Sequence, residues 1–263
     1  MINPKKSLGQ NFLIDNNIIK KIISLSDICN KNIVEIGPGT GNLTKKIIEQ
    51  NPKNLILVEK DRALSKNLKD QFKNYKNIKV FNEDILKFSI EDKIEKNSII
   101  IGNLPYNISS QILAKLIKFK TWPPNYKKLI LMFQKEVADK ILAKHKSSDF
   151  GRLAVLTNSR LKVTDNFGVS KNCFYPTPKV KSTVLVFEPF INRDFKVKDI
   201  SNLEKITHIF FSKKRKMINK AFKTLFKKQK FLAKKIEIDL SLRPNQISEK
   251  QYYKITEYFE KKL

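Results

Sequence analysis

Short runs of apolar, largely β-branched residues recur through the first two thirds of the chain, with room for one helix between each pair. They lie at Asn32–Ile36, Asn54–Glu59, Ile78–Asn82, Ser98–Gly102 and Leu129–Gln134. The runs are mostly continuous rather than alternating, which suits strands covered on both faces, the condition of a parallel sheet. The intervening segments Asn42–Gln50, Leu64–Lys73, Ser109–Lys118 and Lys135–Lys144 have helix length. This order constrains the fold most, because parallel neighbours need a crossover and crossover helices coat both faces of the sheet. The expected fold class is a doubly wound α/β sheet. A proline-bearing loop, N-C-F-Y-P-T-P-K-V, leads into one more strand at Ser182–Phe187, and the polar stretch from Glu188 to Asp199 reads as a linker. From Ile200 onward the pattern is helical. Two domains are expected, a sheet domain over 1–190 and a small all-helical domain over 191–263, and 263 residues suit that division.

Charge narrows the partners. Lys and Arg total 53 against 25 acids, a net charge of +28, which favours a polyanion. A drift toward Lys would enrich solvated faces as well, but it does not explain the shortage of acids. Between Lys205 and Lys235 there are twelve Lys/Arg and no acid. Within that stretch Lys213, Lys216, Lys220, Lys223 and Lys227 are spaced to share one face of a helix, with Met217, Ala221, Phe222 and Leu225 opposite. A helix that is merely soluble mixes its signs, so the lysine face is read as phosphate-binding, toward a nucleic acid or an anionic membrane surface. Ser248 with Gln251 forms a capping box before the last helix. No apolar run approaches the roughly 20 residues of a membrane helix, and the first residues lack the apolar core of a secretory signal. Cys29, Cys173, His145 and His208 stand apart, so soft ligands assemble no metal site. A cytoplasmic protein without metal or membrane contact is expected.

Residues with chemical potential cluster at the strand ends. The turn after the first strand is V-E-I-G-P-G-T-G-N, in which Gly37, Gly39 and Gly41 let backbone approach a ligand. Its spacing is G-x-G-x-G, with Asn42 where a dinucleotide fingerprint has its third glycine. Glu59 ends the second strand, where a carboxylate holds ribose hydroxyls. Asp84 follows the third, placed to accept from an adenine amino group. The fourth ends in Gly102-Asn103-Leu104-Pro105-Tyr106. An exocyclic base amine is a poor nucleophile because its lone pair is delocalised into the ring. Acceptors on both of its hydrogens, the Asn103 side-chain oxygen and the Leu104 carbonyl, would draw it toward tetrahedral geometry and free that pair. Pro105 confines Leu104 to extended backbone and so aims the carbonyl, while Tyr106 offers a face for stacking.

These motifs in order, with S-L-G-Q-N-F-L, L-M-F-Q-K-E-V-A, G-R-L-A-V, F-Y-P-T-P-K-V and F-F-S-K-K-R-K, resemble the ribosomal RNA adenine N6-dimethyltransferase family over nearly the whole chain. The chain looks most like the family's bacterial branch that modifies two adjacent adenosines near the 3′ end of 16S rRNA in the immature small subunit. Thr177 between the two prolines is a mild departure. The resemblance implies a Rossmann-like class I methyltransferase that uses S-adenosyl-L-methionine as a monomer. Cofactor contacts would fall on Asn11, Leu13, Gly37, Gly39, Glu59, Asp84 and Asn103. Asn103, Leu104, Pro105 and Tyr106 would form the catalytic loop. Phe174, from a loop that its prolines suggest is exposed, would face Tyr106 across the target adenine.

Other classes fit less well. A dehydrogenase is disfavoured by the glycine spacing and the want of a catalytic histidine, and a cytosine C5-methyltransferase needs a cysteine in the fourth-strand motif. Two readings stay open beside the main one. The first is the antibiotic-resistance type of dimethylase acting on 23S rRNA. The second is an assembly factor that binds pre-ribosomal RNA without depending on catalysis.

Overall fold

The computed structural model describes residues 4–5, 8–192, 195–227 and 229–262. Ser7 of the N-terminal motif lies outside them. A seven-stranded sheet has the order β4-β3-β2-β5-β6-β9-β7, built from β2 (Asn32–Ile36), β3 (Asn54–Val58), β4 (Ile78–Phe81), β5 (Ser98–Asn103), β6 (Tyr126–Gln134), β7 (Leu161–Val169) and β9 (Ser182–Pro189). The first five are parallel to their neighbours, and β9 joins β6 antiparallel. A separate two-stranded ribbon pairs β1 (Phe12–Leu13) with β8 (Phe174–Tyr175). The sheet agrees with the sequence reading, which missed β7 and the helix α1 (Asn16–Ser24).

Burial explains why the strands read as continuous apolar runs. Ile33, Leu55, Leu57, Ile99, Ile101, Ile130, Met132, Val184 and Val186 join one core cluster with Ile19 and Ile22 of α1 and with Leu43 and Ile47 of α2 (Asn42–Ile48). The alternating positions Val34, Ile36, Ile100, Leu129, Leu131 and Leu185 are buried too. Both faces are thus dry, as a parallel sheet requires. The helix α3 (Arg62–Gln71) starts at Asp61, whose carboxylate accepts from the Ala63 and Leu64 amides, and Asp15 caps α1 in the same way.

The chain divides into two compact units, residues 1–138 with 162–189 and residues 139–161 with 190–263. The second begins near the expected boundary after residue 190, but it also takes in 139–161, which the sequence reading leaves in the first. Long-range packing is the reason. Phe150 meets Phe211 with ring centroids 6.2 Å apart, and the Tyr253 hydroxyl donates to the Val155 carbonyl at 3.3 Å. In this unit α6 (Arg152–Arg160), α7 (Ile200–Phe211), α8 (Asn219–Leu225), α9 (Gln229–Lys235) and α10 (Glu249–Glu260) surround an aromatic core. Phe210 contacts Phe222 and Tyr252 there at 6.4 and 5.6 Å.

The lysine stripe is not one helix. Lys213 and Lys216 lie in turns after α7, Lys220 and Lys223 on α8, and Lys227 beyond its end, all five exposed. Met217, expected on the apolar side, is 52% exposed. Ile218 is buried and its amide donates to the Leu242 carbonyl at 2.9 Å, which breaks the helix. The run Lys213-Lys214-Arg215-Lys216 also disfavours continuation, since like charges three and four apart repel, whereas beyond the last turn of α7 they complement its dipole. At the far end of the unit, Ser248 and Gln251 do form the expected capping box of α10. Ser248→Ala should destabilise the protein by about 1 kcal/mol. Urea unfolding followed through the helical signal checks this, and no change would show the cap to be inert.

Candidate active site

The sheet reverses its winding between β2 and β5, the place where doubly wound sheets bind ligands. Register sets the residues there side by side. Ile36 is opposite both Gly102 and Val58, and Val58 is opposite Phe81, so Gly37, Asn103, Glu59 and the Asp84 loop emerge along one edge. A cleft of about 1050 Å³, counting its open mouth, lies over that edge. Asn11, Leu13, Gly37, Gly39, Glu59, Asp84, Asn103, Leu104, Pro105 and Tyr106 all line it.

Glu59 is buried, and each of its oxygens accepts one backbone amide, Gly39 at 3.1 Å and Asp61 at 2.8 Å. A carboxylate has about four acceptor positions, so acceptor capacity remains for a ligand hydroxyl. Burial raises the Glu59 pKa against the pull of those amides. Asp84 is held below the usual carboxylate range chiefly by Lys60, whose Nζ lies 2.8 Å away, while the Leu86 amide donates to its other oxygen. The cleft wall carries Glu59, Glu83 and Asp84 against Lys60, apart from the deeply buried Glu35. In a chain of net charge +28 this is a local excess of acid, suited to a ligand bearing cationic groups.

A strap from the N-terminus is fastened across these strand ends. The Asn103 amide nitrogen donates to the Asn11 carbonyl at 2.8 Å. A carbonyl can only accept, so this bond fixes which end of the amide is nitrogen. The Asn103 Oδ1 is left without a donor among the described residues, and the Leu104 carbonyl likewise accepts from none of them. The Asn42 side chain donates to the Leu13 carbonyl at 2.9 Å, and Gln10 and Lys5 both reach Asp61. Gly39 has φ +60°, and a Cβ there would stand 2.8 Å from the Phe12 ring. The glycine therefore serves close approach of the strap as well as of a ligand. The Tyr106 hydroxyl shares a 2.6 Å hydrogen bond with Ser182, and burial raises its pKa.

Phe174 departs from expectation. It is 2% exposed within the core cluster and does not line the cleft, because its strand pairs Phe174 with the buried Leu13. The prolines therefore do not mark an exposed loop at this residue. Sequence reasoning assigned no role to Phe12, Gln10, Asn42, Asp61, Ser182 or Glu35. Only Glu35 carried a signal, a carboxylate inside an otherwise apolar strand. It is 1% exposed, accepts from the Thr44 hydroxyl at 2.7 Å, and is pushed up to about 8 by burial, with Glu59 adding to the rise.

A folded pKa above the unfolded value of 4.5 means that the stabilisation is complete below about 4.5 and is lost as pH rises through about 8. Across that window the protein should lose stability relative to Glu35→Gln by up to about 1.4 kcal/mol per pH unit. Denaturant midpoints of both proteins from pH 5 to 9 check it, and parallel curves would show that Glu35 does not titrate there.

Known proteins resemble this chain in sequence and fold. A family model described as ribosomal RNA adenine dimethylase matches residues 1–261. "Ribosomal RNA small subunit methyltransferase A" of Pelagibacter ubique (strain HTCC1062) is 45% identical, covering 98% of both chains. The protein of the same name from Malacoplasma penetrans (strain HF-2) is 39% identical over 95% of this chain and 90% of its own. Among solved structures, a dimethyladenosine transferase from Plasmodium falciparum superposes with a TM-score of 0.76 at 28% identity, over 95% of this chain and 98% of that one. The 23S rRNA methyltransferase ErmE shares the fold with a TM-score of 0.67 at 21% identity, over 95% and 100%. With the family model matched along nearly its whole length and a relative 45% identical over 98% of it, the chain belongs to the ribosomal RNA adenine dimethylase family.

Proposed function

We propose that the protein transfers methyl groups from S-adenosylmethionine to N6 of two adjacent adenosines in the 3′-terminal hairpin of 16S rRNA, acting as a cytoplasmic monomer on the immature small subunit. The observation that carries this reading is the Asn103 amide: it is pinned by the Asn11 carbonyl, and its oxygen, like the carbonyl of the adjoining Leu104, accepts from none of the described residues. Two such acceptors suit the two hydrogens of an exocyclic amine. The cleft also fits the cofactor. Glu59 has acceptor capacity for ribose hydroxyls, Asp84 for the adenine amine, and the Gly37–Gly41 turn with Asn11 and Leu13 would hold the methionine end. When bound, the cofactor supplies an electrophilic methyl on its sulfonium.

The chain's own part is positioning, which can supply much of a rate enhancement. Asn103 and Leu104 hold the amine, Pro105 keeps the Leu104 carbonyl extended, and Tyr106 stacks on a base extruded from its helix. A newly methylated nitrogen is acidic enough to shed its proton to water. Phe174 is kept as the aromatic that resemblance pairs with Tyr106, although it is buried in the present arrangement. The exposed lysines Lys213, Lys216, Lys220, Lys223 and Lys227 are assigned to rRNA phosphates in spite of the broken helix.

Methylation of immature small subunits with labelled cofactor, followed by mapping of the modified nucleotides, tests the reading. Label on a large-subunit adenine instead would overturn the substrate. In that assay Asn103→Ala should lower turnover by about 100-fold or more, as losing one oriented polar group at a reacting centre does, with cofactor affinity nearly kept. Near-normal turnover would remove Asn103 from its role. For the lysines, changing Lys216, Lys220 and Lys223 to Gln should flatten the slope of log affinity against log salt by about two to three. The same change at the exposed Lys66, Lys69 and Lys73 serves as the control. Equal effects from both sets would mean that the charge acts only through the overall field.

A further inference from the structure

The β1–β8 ribbon sorts its four side chains by register. Leu13 lies opposite Phe174, and Phe12 opposite Tyr175. Directly opposed residues of an antiparallel pair share a face, with Cβ atoms about 4.5–5.5 Å apart, and successive residues point to opposite faces. The face bearing Leu13 and Phe174 is sunk in the core. The other carries Phe12, which lines the cleft, and beside it Tyr175, which is 61% exposed. After Tyr175 the chain runs through six residues to Ser182, whose hydroxyl meets that of Tyr106. The loop is therefore tied at one end to a residue of the cleft wall and at the other to the stacking residue of the catalytic loop.

Its charge has one sign. From Ser170 to Lys181 there are three lysines, Lys171, Lys179 and Lys181, all exposed, and no acid. The acid that reaches this segment, Asp15, is already committed. One of its oxygens caps α1 and the other takes the Cys173 thiol at 3.7 Å. Single exposed aromatics are ordinary on protein surfaces. This one shares a ribbon face with Phe12, a residue of the cleft wall, and lies in a segment whose charged side chains are all cationic.

We propose that Tyr175 is a stacking platform for an unpaired nucleotide adjoining the base being methylated, with Lys171, Lys179 and Lys181 around its phosphates. An aromatic face gives sequence-tolerant affinity for a splayed base and the lysines hold the backbone, which is how single-stranded RNA is held. The proposal rests on the RNA-methylating function given above. It also gives the proline loop a task that the buried Phe174 does not perform.

The test measures subunit methylation together with binding of a 3′-terminal hairpin RNA that carries 2-aminopurine beside the adjacent adenosines. Tyr175→Ala should raise KM for the subunit about tenfold, the loss of one stacked base, with the larger effect on KM than on kcat. Tyr175→Phe and Tyr175→Trp should restore it, whereas Tyr175→Leu, apolar but without a π-face, should not. The unaltered protein should quench 2-aminopurine on binding, and Tyr175→Ala should not, although it binds cofactor as before. An abasic nucleotide at that position should weaken the unaltered protein and leave Tyr175→Ala unaffected. A KM for Tyr175→Ala within twofold of the original, or Leu restoring as well as Phe, would overturn the platform. Such a result points to a face for another protein or for no partner. If the unaltered protein quenches the probe but leaves small subunits unmethylated, the platform stands and the reaction assigned above fails.

Discussion

Gly102 lies opposite Ile36 where β5 runs beside β2, and a Cβ added at Gly102 would come within 2.9 Å of the Ile36 carbonyl oxygen. The two central strands can keep their pairing to their carboxyl ends only because this residue has no side chain. Everything chemical in the first unit depends on that pairing. It brings the glycine turn after Ile36 alongside Asn103, and through β3 and β4 it extends the same edge to Glu59 and Asp84. Because β2 to β4 wind one way from the centre and β5 to β6 the other, the crossover helices part there and leave the edge uncovered.

The N-terminal strap completes what the sheet begins. Residues 8–13 contribute a carbonyl to Asn103, a carbonyl to Asn42 and a ring over Gly39, so the strap touches both the glycine turn and the fourth-strand motif. A side-chain amide can turn over at little cost, and the Asn11 carbonyl removes that freedom at Asn103 before any substrate arrives. Preorganisation of this kind is worth most where the group has to polarise a neutral amine, since reorientation would otherwise consume part of the gain. The ribbon partner of the strap, β8, links the same arrangement to the proline loop.

Charge is distributed by function. The cleft wall concentrates carboxylates, one of them, Glu35, buried deeply enough that its charge is suppressed near neutral pH. Exposed lysines, by contrast, line the turns and helices of the second unit and the proline loop of the first. On the proposed function, a cationic cofactor and a polyanionic substrate would meet opposite signs on one chain.

Much of this was legible in the sequence. The strands could be read because a sheet buried on both faces demands unbroken apolar runs, and the strand-end residues could be read because parallel strands deliver their carboxyl ends to one edge. What failed were inferences that local spacing cannot decide. The lysines repeat at helical intervals, yet the helix stops where the Ile218 amide finds the Leu242 carbonyl, a partner far along the chain. Residues 139–161 have no local mark of the unit they join, which is decided by contacts such as Phe150 with Phe211. Phe174 and Tyr175 are neighbours of similar character, and the sequence by itself determined only that a strand here would turn one inward and the other outward. Which of them is buried was decided by the tertiary structure, because the strand takes its register from Leu13, a buried residue from the other end of the unit.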